Sequence, residues 1–452
     1  MTLGAGHLSV LLSPQLVLQS GSMNDFVLPK PARDLLRAVV FGVVIGAIFS
    51  AFVIASLQSD FVQQKFISLR YRVAALLPHS AEPQFVPTPL AAPTAAGRPP
   101  TDDSTPTPEL PNRPITQQPS PTAPRTPSRA PTRTPTTLPP EITPILPTVA
   151  LRAIKPDYQR WNNCGPTTLG MALQYFGKPD TQAEIAAFTK PNPDDRNVRP
   201  DELAAYAQRA GLRTIIRVNG TLDRLKLLLS NGVPVIVETA LVKQPQGWMG
   251  HYRLLIGYDA TLREFNTMDS YDGPNVKISF DDLDAEWETF NRLYLVIYDA
   301  AHAARVRALL ADTLDDQTMY AQAAARARAD IAADPKNAFA HFNLGSSLVG
   351  LKRYADAAAA FDQARTLGLP WRMLWYQFDP YVAYLRVGRN DEVIALANSL
   401  LSKTDDLEES HYYKGLALRA LGRTAEARRE FETALRYNPN YRDAQQAMTN
   451  DK

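Results

Sequence analysis

The chain has 452 residues, with 48 Lys and Arg against 46 Asp and Glu, a formal charge of +2, 37 prolines, six histidines and one cysteine. A near-neutral balance without a clustered basic groove removes the electrostatic case for nucleic-acid binding. One cysteine excludes an internal disulfide and, with so few histidines, a zinc cluster. No GxxxxGK[ST] or GxGxxG loop occurs, so neither a cofactor nor a metal is expected.

Ala38 to Leu57 is an uncharged apolar run. At 1.5 Å per residue it matches a bilayer core of roughly 30 Å. Lys30, Arg33 and Arg37 precede it, and Asp60 follows. This bias predicts a cytoplasmic N-terminus over 1–37, a transmembrane helix over 38–57, and an extracytoplasmic remainder. Secretion after cleavage near Ala55 is the alternative. Residues 58–77 read as a juxtamembrane segment. Met23 offers a second start, with a short charged lead before the apolar run. From 78 to 149 the chain is dominated by Pro and Thr, which cannot supply a core. It reads as a disordered, partly polyproline stalk, about 200 Å long if extended at about 3.1 Å per residue.

Residues 150–300 carry a globular pattern. A helix runs through Leu169 to Tyr175, and Thr181-Gln182-Ala183-Glu184 is a capping box that opens a second. Pro200 suits the first turn of a third. Strands are expected over 213–218, 234–239, 252–258, 264–268, 276–280 and 294–298, with a helix over 221–230. Helices come first and an antiparallel-leaning sheet second, an α+β arrangement. Cys164 sits where a loop enters the first helix. Amide donors and the positive helix end there favour a thiolate, the form in which cysteine is a nucleophile. Acyl transfer also needs an imidazole and a group that orients it. His251 lies at the start of one strand, and Asp269 ends the next. Asn266 is the alternative orienting residue.

Five elements in order, Gln159, Cys164-Gly165-Pro166-Thr167, Gly250-His251-Tyr252, Gly257-Tyr258 and Asp269, resemble the peptidase C39-like branch of the papain-like cysteine peptidases. The resemblance implies a papain-like fold and a cysteine-type peptidase, or related amide hydrolase, acting on peptide or protein. Its catalytic residues would be Cys164, His251 and Asp269. Gln159 would supply an oxyanion donor, with the Cys164 amide.

Beyond Ala301 the chain becomes alanine-rich and helical. Residues 301–337 read as linking helices. Phe342-Asn343-Leu344-Gly345, Tyr354, Ala357, Phe361 and Ala364 recur as Tyr413-Lys414-Gly415, Ala427, Phe431 and Ala434. This spacing resembles tetratricopeptide repeats, units of about 34 residues, over 338–441, with a degenerate copy between and a tail at 442–452. The resemblance implies an all-α solenoid that engages a protein partner. The whole therefore reads as a membrane-anchored cysteine peptidase carrying an interaction module. The alternative is a non-catalytic surface scaffold that binds peptide.

Overall fold

The computed structural model describes residues 85–90 and 141–449, apart from Ala153 and 244–246. Seven strands form one antiparallel sheet: β1 Thr148–Ala150, β2 Arg213–Arg217, β3 Val235–Lys243, β4 Gly247–Asp259, β5 Glu264–Asp269, β6 Gly273–Ser279 and β7 Tyr294–Tyr298. Their order is β2-β7-β3-β4-β5-β6. β3 leaves β4 at Leu255, and β1 takes over the same edge opposite Gly257 to Asp259. A Cβ at Gly257 would lie 2.2 Å from the Val149 carbonyl oxygen. Only glycine allows β1 to approach this closely.

The sheet is packed on both faces. On one lie α1 (Cys164–Tyr175), α2 (Gln182–Thr189) and α3 (Pro200–Arg209); on the other, α4 (Leu222–Ser230), α5 (Phe280–Glu288) and α6 (Ala303–Leu309). Strand alternation divides the core. Leu254 and Ile256 of β4 join Leu169, Leu173 and Leu203 on the first face, whereas Leu255 joins Leu225, Phe265 and Trp287 on the second. Gly165 to Leu173 of α1 is buried on every side, as expected of a helix without a polar face. Pro166 costs this helix nothing, because first-turn amides lack intrahelical acceptors anyway. Thr168 Oγ1 donates to the Tyr252 carbonyl at 3.1 Å, which fixes α1 against β4.

The repeat region follows as α7 (Asp316–Ala333), α8 (Ala338–Gly350), α9 (Tyr354–Leu367), the short α10 (Met373–Tyr376), α11 (Asp379–Arg386), α12 (Asn390–Leu401), α13 (Glu408–Ala420), α14 (Thr424–Tyr437) and α15 (Arg442–Thr449). The same small-against-large contact occurs twice, 70 positions apart. Gly345 admits the Phe361 ring between α8 and α9, and Gly415 admits Phe431 between α13 and α14. In the intermediate unit Pro380 and Leu396 hold the corresponding positions, which explains its weaker repeat signature. His341 and His411 obey the same offset. Their Nε2 atoms lie 3.2 Å and 2.9 Å from the carbonyls of Pro335 and Asp405, and His411 stacks on Tyr437.

The repeats are joined to the sheet domain by direct bonds. Asn343 donates to the Glu288 carbonyl at 2.7 Å, Gln377 to Thr289 at 3.0 Å and Arg372 to Trp248 at 3.3 Å. Arg199 pairs with Glu409 at 3.1 Å, and Arg217 with Asp316 at 3.0 Å.

Two sequence expectations need correction. Among the described residues no helix is long and apolar enough to cross a membrane. The described residues therefore give no support to the membrane-anchored reading, the membrane as partner, or the single-pass topology with a cytoplasmic N-terminus, and none of these is carried further. The segments 1–37, 38–57 and 58–77, and the cleavage position near Ala55, lie outside the described residues. The second correction concerns the stalk. Its residues 85–90 and 141–149 are ordered, because they pair through main-chain groups that composition does not reveal. Thr143 N–H donates to Asn231 Oδ1 at 2.9 Å, and Tyr258 donates its hydroxyl to the Leu146 carbonyl at 2.5 Å. The rest of the stalk lies outside the described residues.

Candidate active site

Cys164 is the first residue of α1, and the loop before it is held from two sides. The Gln159 N–H donates to the Ser270 carbonyl at 2.8 Å, and Ser270 Oγ donates back to Gln159 Oε1 at 2.9 Å. Gln182 of α2 forms the other anchor. Its Oε1 accepts from Arg160 N–H at 2.9 Å and Asn163 Nδ2 at 3.2 Å, while its Nε2 donates to Asp157 and the Tyr158 carbonyl. Asn162 takes a left-handed conformation, φ 54°, which asparagine tolerates well. The Cys164 side chain is half-buried against the α1 core.

β4 supplies His251 and Arg253, two residues apart and therefore on one face. β5 brings Asp269 opposite Arg253. One carboxylate oxygen lies 2.9 Å from His251 Nε2, and the other accepts Arg253 Nε at 3.0 Å. The first oxygen also accepts the N–H groups of Tyr271 and Asp272, at 2.7 Å and 2.9 Å. Arg253 is itself tied to Thr239 and Glu286. His251 and Asp269 are 2% and 1% exposed. With Nε2 engaged by the carboxylate, Nδ1 is the ring nitrogen left for Cys164.

The electrostatics are consistent with an ion pair. Burial pushes the Cys164 thiol up, but the hydrogen bond to His251, its charge, and main-chain hydrogen bonds with Tyr252 and Gly165 together bring it below its ordinary value. Burial pulls His251 down, yet Asp269 and Cys164 raise it to about 9. Burial alone would raise the Asp269 carboxyl; His251, Arg253 and the Asp272 amide hold it far below the usual carboxylate range. The pair is thus biased toward a thiolate facing an imidazolium.

Asn266 does not reach this cluster. It pairs with Gly257 at the far end of β5 and its Nδ2 points to Asn275 Oδ1 at 3.3 Å. Other participants carry no sequence motif. Arg253 steadies Asp269, Gln182 steadies the cysteine loop, and Glu238 is buried on β3 opposite Tyr252. Burial, then the Cys164 charge, keeps the Glu238 carboxyl well above its usual range. Tyr376 comes from the repeat side. Its ring would lie 3.0 Å from a Cβ at Gly250, and the Phe290 ring 2.8 Å. The glycine before His251 is therefore required by two rings pressed on the strand. Tyr376 also contacts Trp248 edge-on at 6.0 Å between centroids. Burial, then the Cys164 charge, raises its phenol.

A cysteine helix packed on an antiparallel sheet that carries the histidine and its acidic partner defines the papain-like class. Residues 151–297 match the Peptidase_C39 like family and residues 408–441 the tetratricopeptide repeat. The chain thus contains a C39-like peptidase domain followed by a tetratricopeptide-repeat region. Three solved structures are similar in part. The peptidase domain of Streptococcus ComA, a bifunctional ABC transporter, is 16% identical over 33% of this chain and 99% of its own, with a TM-score of 0.27. Xylellain, a cysteine protease from Xylella fastidiosa, is 15% identical over 34% and 87%, at 0.28. MamA from Desulfovibrio magneticus RS-1 is 14% identical over 28% and 77%, at 0.23. No curated protein matches the chain.

Proposed function

We propose that this chain is a peptide-binding scaffold in which a C39-like domain and a repeat array share one wall of a cleft. The observation carrying this reading is Tyr376 of the repeats lying against Gly250, next to the histidine and within electrostatic reach of the cysteine. A peptide reaching Cys164 would meet residues of both parts, so the repeats shape what the site accepts.

A second reading, cysteine-type peptidase activity at the same site, is favoured by the 2.9 Å His251–Asp269 contact together with the Cys164–His251 hydrogen bond. In that chemistry Cys164 Sγ attacks the peptide carbonyl carbon. The oxygen takes the negative charge, met by the Cys164 amide and the Gln159 side-chain amide. His251 gives its proton to the departing amine, leaving an acyl-thioester. Water then gives a proton to His251, attacks the thioester and releases the acid and the thiolate. Asp269 keeps the imidazole oriented and charged.

A peptide library incubated with the intact protein and with Cys164→Ala separates the two readings. Cleavage by the native protein that is lost in Cys164→Ala supports the peptidase and eliminates a purely non-catalytic scaffold. Retention without any cleavage leaves the scaffold alone. Failure of either protein to retain or cut peptide removes both. Tyr376→Ala is expected to change the set of peptides retained and to weaken the preferred ones about tenfold, the effect of losing one buried aromatic anchor. An unchanged set would show that the repeats take no part in recognition.

A further inference from the structure

A short segment of the chain is seated on the repeats, away from Cys164. Residues Phe85 to Leu90, Phe-Val-Pro-Thr-Pro-Leu, lie against Arg365 of α9 and Glu392 of α12. Val86 N–H donates to the Leu369 carbonyl at 2.9 Å, and Phe85 bridges Pro370 in antiparallel fashion. Arg365 Nε donates to the Pro87 carbonyl at 2.8 Å and its NH2 group to the Thr88 carbonyl at 3.0 Å. Glu392 accepts the Leu90 N–H at 3.0 Å. Val86 is 3% exposed, between Trp371, Leu374, Leu396 and Leu400.

These contacts form a built site. The Arg365 and Glu392 side chains are only 2% and 4% exposed and pair with each other at 2.7 Å. Tyr384 bonds to Arg365 at 3.0 Å, and Arg389 to Glu392 at 3.1 Å. A buried ion pair gains little unless its remaining donors and acceptors are satisfied. Here backbone groups of the bound segment satisfy them. Pro87 and Pro89 bring no amide that would need an acceptor, and proline favours the extended shape before binding. Recognition therefore combines main-chain capture with one side-chain pocket, for Val86.

We propose that this groove is a binding site for extended proline-containing peptides of the form Val-Pro-x-Pro, held by their main chain and the one valine side chain. The chain's own residues 85–90 are its resident ligand. A peptide of that form from elsewhere must displace the resident, which competes at the elevated effective concentration of a covalently linked ligand.

The test uses a fluorescent peptide with the sequence of residues 83–92 and the full chain, native and with Val86→Asp. The aspartate removes the resident's anchor without altering any helix of the repeats. Val86→Asp protein is expected to bind the probe at least tenfold tighter than native. The same probe carrying aspartate at the valine should not bind. Glu392→Gln added to Val86→Asp should weaken the probe severalfold, through loss of the charged acceptor for the leucine amide. Equal affinity of native and Val86→Asp proteins for the probe, or retained affinity of the aspartate-bearing probe, overturns the proposal.

Discussion

Alanine at Cys164 is expected to abolish covalent labelling by a thiol-directed electrophile, and alanine at His251 to slow it by about 10² or more at pH 7, the usual scale of a lost acid–base partner. The basis is the opposition of forces at the thiol. Burial raises its pKa; the His251 hydrogen bond and charge, together with main-chain hydrogen bonds with Tyr252 and Gly165, lower it by more. Removing His251 leaves only the main-chain bonds against burial. In the native protein the labelling rate should rise with pH through a midpoint below that of a free thiol, about 8.5. It should change again near pH 9, where His251 loses its proton. In His251→Ala the midpoint should move upward. Stopped-flow labelling across pH 4–10 measures both. A native midpoint at or above a free thiol's would contradict the ion pair.

Asp269→Asn is expected to damage both chemistry and stability. The carboxylate bridges His251 and Arg253, all three nearly buried. Asparagine leaves the guanidinium facing a neutral group, and breaking a buried pair in this way costs about 3–5 kcal/mol. For a domain of this size that lowers the melting temperature by about 10 °C. The direction with pH follows from the depressed folded pKa. The native stabilisation is complete above the ordinary carboxyl value, near 3.9, and is lost as pH falls through the lower folded value. The native and variant melting curves should therefore converge in strong acid and stay separated at neutral pH. A constant separation down to the lowest pH that permits measurement would refute the charge-based account. Labelling of Cys164 should also slow, because the imidazolium loses its counter-charge.

The sequence made Cys164, His251 and Asp269 legible because each sits at an element boundary marked by glycine, proline or a change of period. Their companions were hidden for separate physical reasons. Arg253 looks like an ordinary strand residue; only the register that sets it opposite Asp269 gives it a role. Gln182 reads as a first-turn residue of a capping-box helix, with nothing local to reveal four bonds to the cysteine loop. Tyr376 lies in the stretch between two repeat units, where the 34-residue pattern is interrupted. Asn266 was a reasonable amide to orient His251, but β5 points it toward the opposite hairpin. The largest misreading concerned Phe85 to Leu90. Proline-rich composition signals the absence of a core and says nothing about carbonyl groups offered to another surface.

The bonds from Asn343, Gln377, Arg199 and Arg217 across to the other part of the chain tie its two architectures into one thermodynamic unit. A repeat array by itself melts gradually, one module fraying from the next, because each module contacts only its neighbours. Here the first modules, the stretch around Tyr376 and α13 also rest on the sheet domain, so their fraying is penalised by the loss of contacts to a globular core. The strand bearing His251 is one of those contacts. Loosening of the array is thereby coupled to the geometry at Cys164, and the tie extends to its far end, where Arg199 holds Glu409 of α13 and lies over the Tyr441 ring before α15.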